Sequence, residues 1–175
     1  MFASTLTPDE WDGLLRLLAA TAVGMAIGVN RDLHGKPTGT RTLGLVGLGA
    51  ALVAIVGVRV EGIAEHPDAM SRVVQGILQG VLTGIGFVGA GVVIRDHRNL
   101  SVHGLTTAAT VWATAALGIA CALASWPFVA LGAGVTLVLL VLAKPFDALL
   151  DKRLRRRNGY RPHHHDLPTP PDGPQ

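Results

Sequence analysis

Long apolar stretches, each able to cross a bilayer, alternate along this chain with short polar connections. The clearest runs from Val73 to Ile94, 22 residues without a charge, and carries Gly76, Gly80, Gly84, Gly86, Gly89 and Gly91. That length spans the roughly 30 Å hydrocarbon core as one helix. In water each of these glycines would cost about 1 kcal/mol of helix propensity relative to alanine. In lipid, glycines at i, i+4 and i+8 leave a groove that admits a second helix. The segment therefore reads as a membrane span and a helix-packing surface. Four further spans are predicted, over Trp11–Val29, Thr42–Val58, Leu105–Ala124 and Pro127–Ala143. The last two fall in a single uncharged run of 45 residues, Asn99–Ala143, too long for one crossing at 1.5 Å per residue. Ser125-Trp126-Pro127 divides it, because proline removes a helix donor and restricts the residue before it. The predicted fold is all-α, an integral membrane bundle of five transmembrane helices over residues 11–144.

Composition agrees with that pattern: 49% of residues are hydrophobic and 15% charged, where soluble domains carry about 25% charged residues. Of the 15 Lys and Arg residues, 12 fall on one side of the predicted bundle. They lie between spans one and two, between three and four, and after span five. The excess of basic residues marks the cytoplasmic side, so the N-terminus (residues 1–10) is expected outside, in the periplasm, and the C-terminus inside. Asp9, Glu10 and Asp12 replace the basic front of a cleavable signal peptide, so the first span is expected to remain. Residues 145–157 pattern as a basic amphipathic helix along the inner leaflet, where each cation gains about 1 kcal/mol from anionic headgroups. A plain positive-inside anchor accounts for the same residues. The proline-rich tail, residues 158–175, is expected to be disordered, and its His163-His164-His165 triplet is a weak metal-binding pattern. Cys121, the single cysteine, reads as a small packing residue.

Polar residues inside or beside the spans carry what chemistry there is. Gln75, Gln79 and Thr83 form a stripe one residue ahead of the Gly76–Gly84 groove. Interhelical hydrogen bonds and the lining of a solute path both explain it. Thr106, Thr107, Thr110 and Thr114 admit the same two readings, and threonines also bond back onto their own helix. Arg16 is expected to pair with Asp12 and snorkel outward, with a buried role as the alternative. A cytoplasmic polar cluster gathers Arg31, Asp32, Arg41, Thr42, Arg95, Asp96, Asn99, Thr106 and Thr107. Asp32 and Asp96 are expected to latch onto Arg41 and Arg95. They could instead offer oxygen ligands to Mg²⁺, although two carboxylates among several arginines make a poor cation site. No HExxH, Walker loop or nucleophile–base pair is present, so no catalytic residue, enzyme activity or cofactor is expected. Nucleic acid is not an expected partner.

Several stretches together carry a resemblance. They are Gly28–Asp32, Gly39-Thr40-Arg41-Thr42 leading into Leu48–Leu52, Gly84–Gly91, and Gly104–Trp112 followed by Ala115–Gly118. In this order and spacing, over approximately Leu14–Ala143, the chain resembles the MgtC/SapB family of bacterial inner-membrane proteins. Asn30-Arg31-Asp32 stands where the family often has Glu-Arg-Glu, and the short basic tail stands where virulence-associated members carry a further cytoplasmic domain. The resemblance implies a multi-pass protein of the bacterial inner membrane, associated with growth or survival in low magnesium. Two functions follow as expectations. One is a regulatory or interaction protein linked to magnesium or ion homeostasis or stress adaptation, its partner being the lipid bilayer together with a second copy or another membrane protein. The other is a small oligomeric transporter or channel for Mg²⁺ or another ion.

Overall fold

The computed structural model describes residues 7–60, 65–96 and 101–157, with side chains for 7–60, 65–93 and 104–142. The chain divides into two compact units, Met1–Leu140 and Val141–Gln175. Five helices are present among the described residues: α1 (Pro8–Asp32), α2 (Thr40–Val58), α3 (Pro67–Gly91), α4 (Leu105–Leu123) and α5 (Trp126–Arg157). The first four are long and apolar enough to cross a membrane. The apolar part of α5, Trp126–Leu142, is shorter; at 1.5 Å per residue it reaches about 26 Å, the low end of a crossing length.

Each helix boundary has a local cause. Thr7 caps α1 in a capping box with Glu10, which satisfies two of the backbone groups left open at a helix start. Ser125-Trp126-Pro127 separates α4 from α5 as expected, and the Ser125 carbonyl accepts the amides of Phe128 and Val129 at 3.0 and 3.1 Å. The third helix departs from its predicted range. It begins six residues early, at Pro67, and ends at Gly91, and Ile94 lies in a strand instead of the span. The β-branched run Val92-Val93-Ile94 favours extended backbone over helix. Strands β1 (Ile94–Asp96) and β2 (Ser101–His103) pair antiparallel, Ile94 opposite His103 and Asp96 opposite Ser101. Gly104, at φ +92°, turns this hairpin into α4. Its position is closed to other residues because a Cβ there would run into the Val92 carbonyl.

The core lies between α1, α2 and α4, and small residues let these three backbones approach. A Cβ on Gly47 of α2 would lie 2.5 Å from the Ala20 carbonyl oxygen of α1. Gly24 and Gly28 of α1 face α2 backbone just as closely, and Gly118 of α4 faces the Gly47 carbonyl. Ala51, Ala54, Ala115 and Cys121 fill the remaining space and are fully buried. Interfaces of this kind substitute close van der Waals contact for the hydrophobic drive that lipid removes. Helix α3 lies at the edge, touching α2 and α4. The start of α5 buries Val129 in the core, and a Cβ on its Gly132 would lie 3.2 Å from Leu117 of α4. In the second unit the helical backbone extends through Arg157, across the predicted 145–157 helix. The tail with His163–His165 lies outside the described residues.

Candidate functional site

The end of the bundle where α1 finishes and α2 and α4 begin holds its densest polar contacts. Arg31, in the last turn of α1, is only 4% exposed. Its Nε and one terminal nitrogen donate to the Pro37 carbonyl at 3.1 and 2.9 Å. The same terminal nitrogen donates to the Thr107 hydroxyl of α4, and the other reaches Thr110 at 3.5 Å. Thr110 in turn donates to the Thr106 carbonyl at 2.6 Å. One guanidinium thus joins α1, the connecting loop and α4. Hydrogen bonds from a charged donor contribute about 1.5–3 kcal/mol each, which offsets the cost of taking the cation out of water.

The neighbouring Asp32 does a separate job. Its Oδ2 accepts from the Thr40 amide at 2.9 Å and from the Thr40 hydroxyl at 2.6 Å. The residue at the start of α2 is Gly39, which has no side chain to cap the helix, so Asp32 caps it from across the loop. A Cβ at Gly39 would collide with that carboxylate. The expected latch between Asp32 and Arg41 is therefore corrected. Arg41 is exposed, and Asp32 is taken by the helix start, whose free amide and adjacent hydroxyl lie on its side of the loop. Asp32→Ala is expected to lower stability by about 1 kcal/mol, the usual worth of a cap, whereas Arg41→Ala leaves it unchanged. Thermal melts of the two purified variants in detergent check this.

The other predicted residues scatter. Thr42 and Thr106 are exposed, and Thr107 is buried against Arg31. The side chains of Arg95 and Asp96, and all of Asn99, lie outside the described residues. No group of three or more potential metal-ligating side chains occurs among the described residues. Gln75, Gln79 and Thr83 are exposed on α3. Gly76, Gly80, Gly84, Gly86 and Gly91 have open space where a side chain would be, while Gly89 sits against Ala108 of α4.

At the opposite end, Arg16 pairs with Asp12 at 2.6 Å, as expected from the i, i+4 spacing. The sequence did not point to its second role. Its terminal nitrogen donates to the carbonyls of Cys121, Ala122 and Ala124 at 3.1–3.3 Å, and the guanidinium lies 5.4 Å from the Trp126 ring centre. A cation at a helix C-terminus meets the negative end of its dipole, so Arg16 closes α4 from α1. Arg59 of the α2 end likewise donates to the Asp9 carbonyl at 2.8 Å and pairs with its carboxylate at 3.4 Å.

Four membrane-length helices, a close-packed small-residue core and polar locks at both ends define a multi-pass helical membrane protein. Residues 17–149 match the MgtC family, and the chain belongs to it. It is 41% identical to Protein SrpB of Synechococcus elongatus over 144 residues, covering 77% of each chain. It is 36% identical to Protein SapB of Bacillus subtilis over 62% of this chain and 47% of that one. With Protein MgtC of Salmonella typhimurium the identity is 39%, over 63% of this chain and 43% of that one. The chain thus spans about half the length of the latter two. No solved structure matches it.

Proposed function

We propose that this chain is a regulatory or interaction protein of the bacterial inner membrane, linked to magnesium or ion homeostasis or stress adaptation, and not an enzyme. The observation that carries the reading is the outward face of α3. Gly76, Gly80 and Gly84 lie open there beside the exposed amides of Gln75 and Gln79. Amides left to hydrocarbon are unfavourable, and open glycines are the usual means of admitting another helix. Both features call for a protein surface against α3. The basic residues at the loops after α1 and after α5 support an N-terminus outside and a C-terminus in the cytoplasm, with the apolar part of α5 as a fifth, short crossing. The magnesium link comes from the family resemblance.

Full-length protein in sealed liposomes tests the reading against transport. With Mg²⁺ and a panel of monovalent and divalent ions, the flux is expected to equal that of empty liposomes. A flux above that level which Gln79→Leu abolishes would overturn the proposal in favour of an ion path along the α3 stripe.

A further inference from the structure

A cleft of about 400 Å³ opens between α2 and α3, lined by Leu45, Gly49 and Val53 of α2 and by Gly80, Gly84 and Val88 of α3. All six are exposed, so the cleft faces the surrounding bilayer. It exists because side chains are missing: a Cβ on Gly49, Gly80 or Gly84 would meet no atom within 4 Å. None of these side chains offers a hydrogen bond, which suits an occupant that is apolar along its length. Leu45 to Val53 covers about 12 Å at 1.5 Å per residue. A helix of that length and 10 Å across fills roughly 900 Å³, more than twice the cleft, whereas a single acyl chain lies in it lengthwise. The polar end of the cleft leads to Arg41 and Thr42, both exposed. Arg41 stands one turn before Leu45, and Thr42 seven residues before Gly49, on the side of α2 that lines the cleft. From Arg41 to Val53 is about 18 Å, close to the 15 Å or so of hydrocarbon in one leaflet. Cleft and cation together have the dimensions of one lipid, tail to phosphate. Lys36 is also exposed at this end, and the Asp32 carboxylate is already engaged by Thr40.

We propose that the α2–α3 cleft binds one anionic phospholipid from the leaflet in which α2 begins, an acyl chain lying along the glycines and the phosphate held by the Arg41 guanidinium and the Thr42 hydroxyl. A guanidinium fork matches two phosphate oxygens at once, and the hydroxyl donates to a third. Arg41 and Lys36 favour a headgroup with net negative charge, because the ammonium of a zwitterionic lipid offsets its own phosphate. The inference goes beyond the interaction reading and does not depend on it: Gln79 stands half a turn around α3 from Val88, away from the cleft.

Native mass spectrometry of the full chain tests this, with the protein stripped of lipid in mild detergent and titrated with phosphatidylglycerol or, separately, phosphatidylethanolamine of the same chain length. One phosphatidylglycerol is expected to bind per chain, at a concentration about tenfold below that needed for phosphatidylethanolamine. Gly49→Leu and Gly84→Leu each put a side chain into the cleft and are expected to abolish this first binding event. Neither added Cβ meets another atom within 4 Å, so the melting temperature of the lipid-free protein is expected to stay unchanged. Arg41→Gln leaves the cleft open and is expected to weaken phosphatidylglycerol binding about tenfold and to remove the preference between the two lipids. Undiminished binding by both glycine variants would refute the site. Equal binding of the two lipids, unmoved by Arg41→Gln, would refute the headgroup contact and with it the anionic phospholipid. Should the chain bind no phospholipid and instead form a complex with a second copy or another protein that Gly84→Leu dissociates, a helix covers the cleft and the proposal is wrong.

Discussion

Gly118→Val is expected to leave almost no folded protein in the membrane. The first carbon of the new side chain would fall inside van der Waals contact of the Gly47 carbonyl oxygen and 3.1 Å from the Ala50 Cβ, both on α2. Neither can yield, because Gly47 is itself pressed against the Ala20 carbonyl of α1. The clash is at the Cβ, which the backbone fixes and no rotamer moves, and the valine's two methyl groups add to the crowding. Overpacking of this kind costs about 1–3 kcal/mol and more where backbone must move, against a total stability of about 5–15 kcal/mol. Gly84→Val is the internal control, since nothing lies within 4 Å of its added carbon. Membrane accumulation and detergent melting curves should separate the two: Gly118→Val is lost, and Gly84→Val folds. If both fold alike, the close approach of α2 and α4 is not what holds the bundle.

That contrast also shows what the sequence could and could not reveal. Four of the five predicted spans, those matching α1 to α4, were legible because a long, nearly uncharged run of about 20 residues has few other uses. The break at Ser125-Trp126-Pro127 and the Asp12–Arg16 pair were legible for equally local reasons. Which glycines face inward was not. In water, apolar periodicity points to the core, whereas in lipid both faces of a helix are apolar and the pattern loses its sign. Helix α3, with the densest glycines, drew attention as the packing surface, yet in the chain only Gly89 meets another helix through a lost side chain. The core seam uses Gly24 and Gly28 of α1, Gly47 of α2 and Gly118 of α4, a signal present in the sequence as a four-residue interval on α1 but outcompeted by the richer run. The polar end was legible as a cluster and not as a wiring. Arg31, Asp32, Arg41 and Thr107 were all assigned to it. That Asp32 serves the start of α2 and that Arg31 crosses to α4 depends on loop geometry set by Gly35 and Thr38, both at positive φ.

Arg31→Ala is expected to have the second large effect. Removing the guanidinium deletes its bonds to the Pro37 carbonyl, Thr107 and Thr110 together. It also opens a cavity between α1 and α4. The Thr110 hydroxyl retains its bond to the Thr106 carbonyl, and the Pro37 carbonyl, on an exposed residue, keeps the Thr38 hydroxyl as a donor. The lost charge-assisted bonds are expected to cost about 1.5–3 kcal/mol. Arg31→Lys separates charge from geometry. A lysine keeps the cation but cannot donate to Pro37 and Thr107 through a planar fork, so it should recover less than half of the loss. The loop and the α4 start should loosen accordingly, read as faster labelling of a cysteine placed at Lys36 in either variant. The locks at the other end, Arg16 on the α4 carbonyls and Arg59 on Asp9, share no residue with this one. Labelling at Ser125 should therefore stay at the parent rate. Full recovery by lysine would mean that the positive charge alone matters, and that the three-way joint seen at Arg31 contributes nothing to holding the bundle end closed.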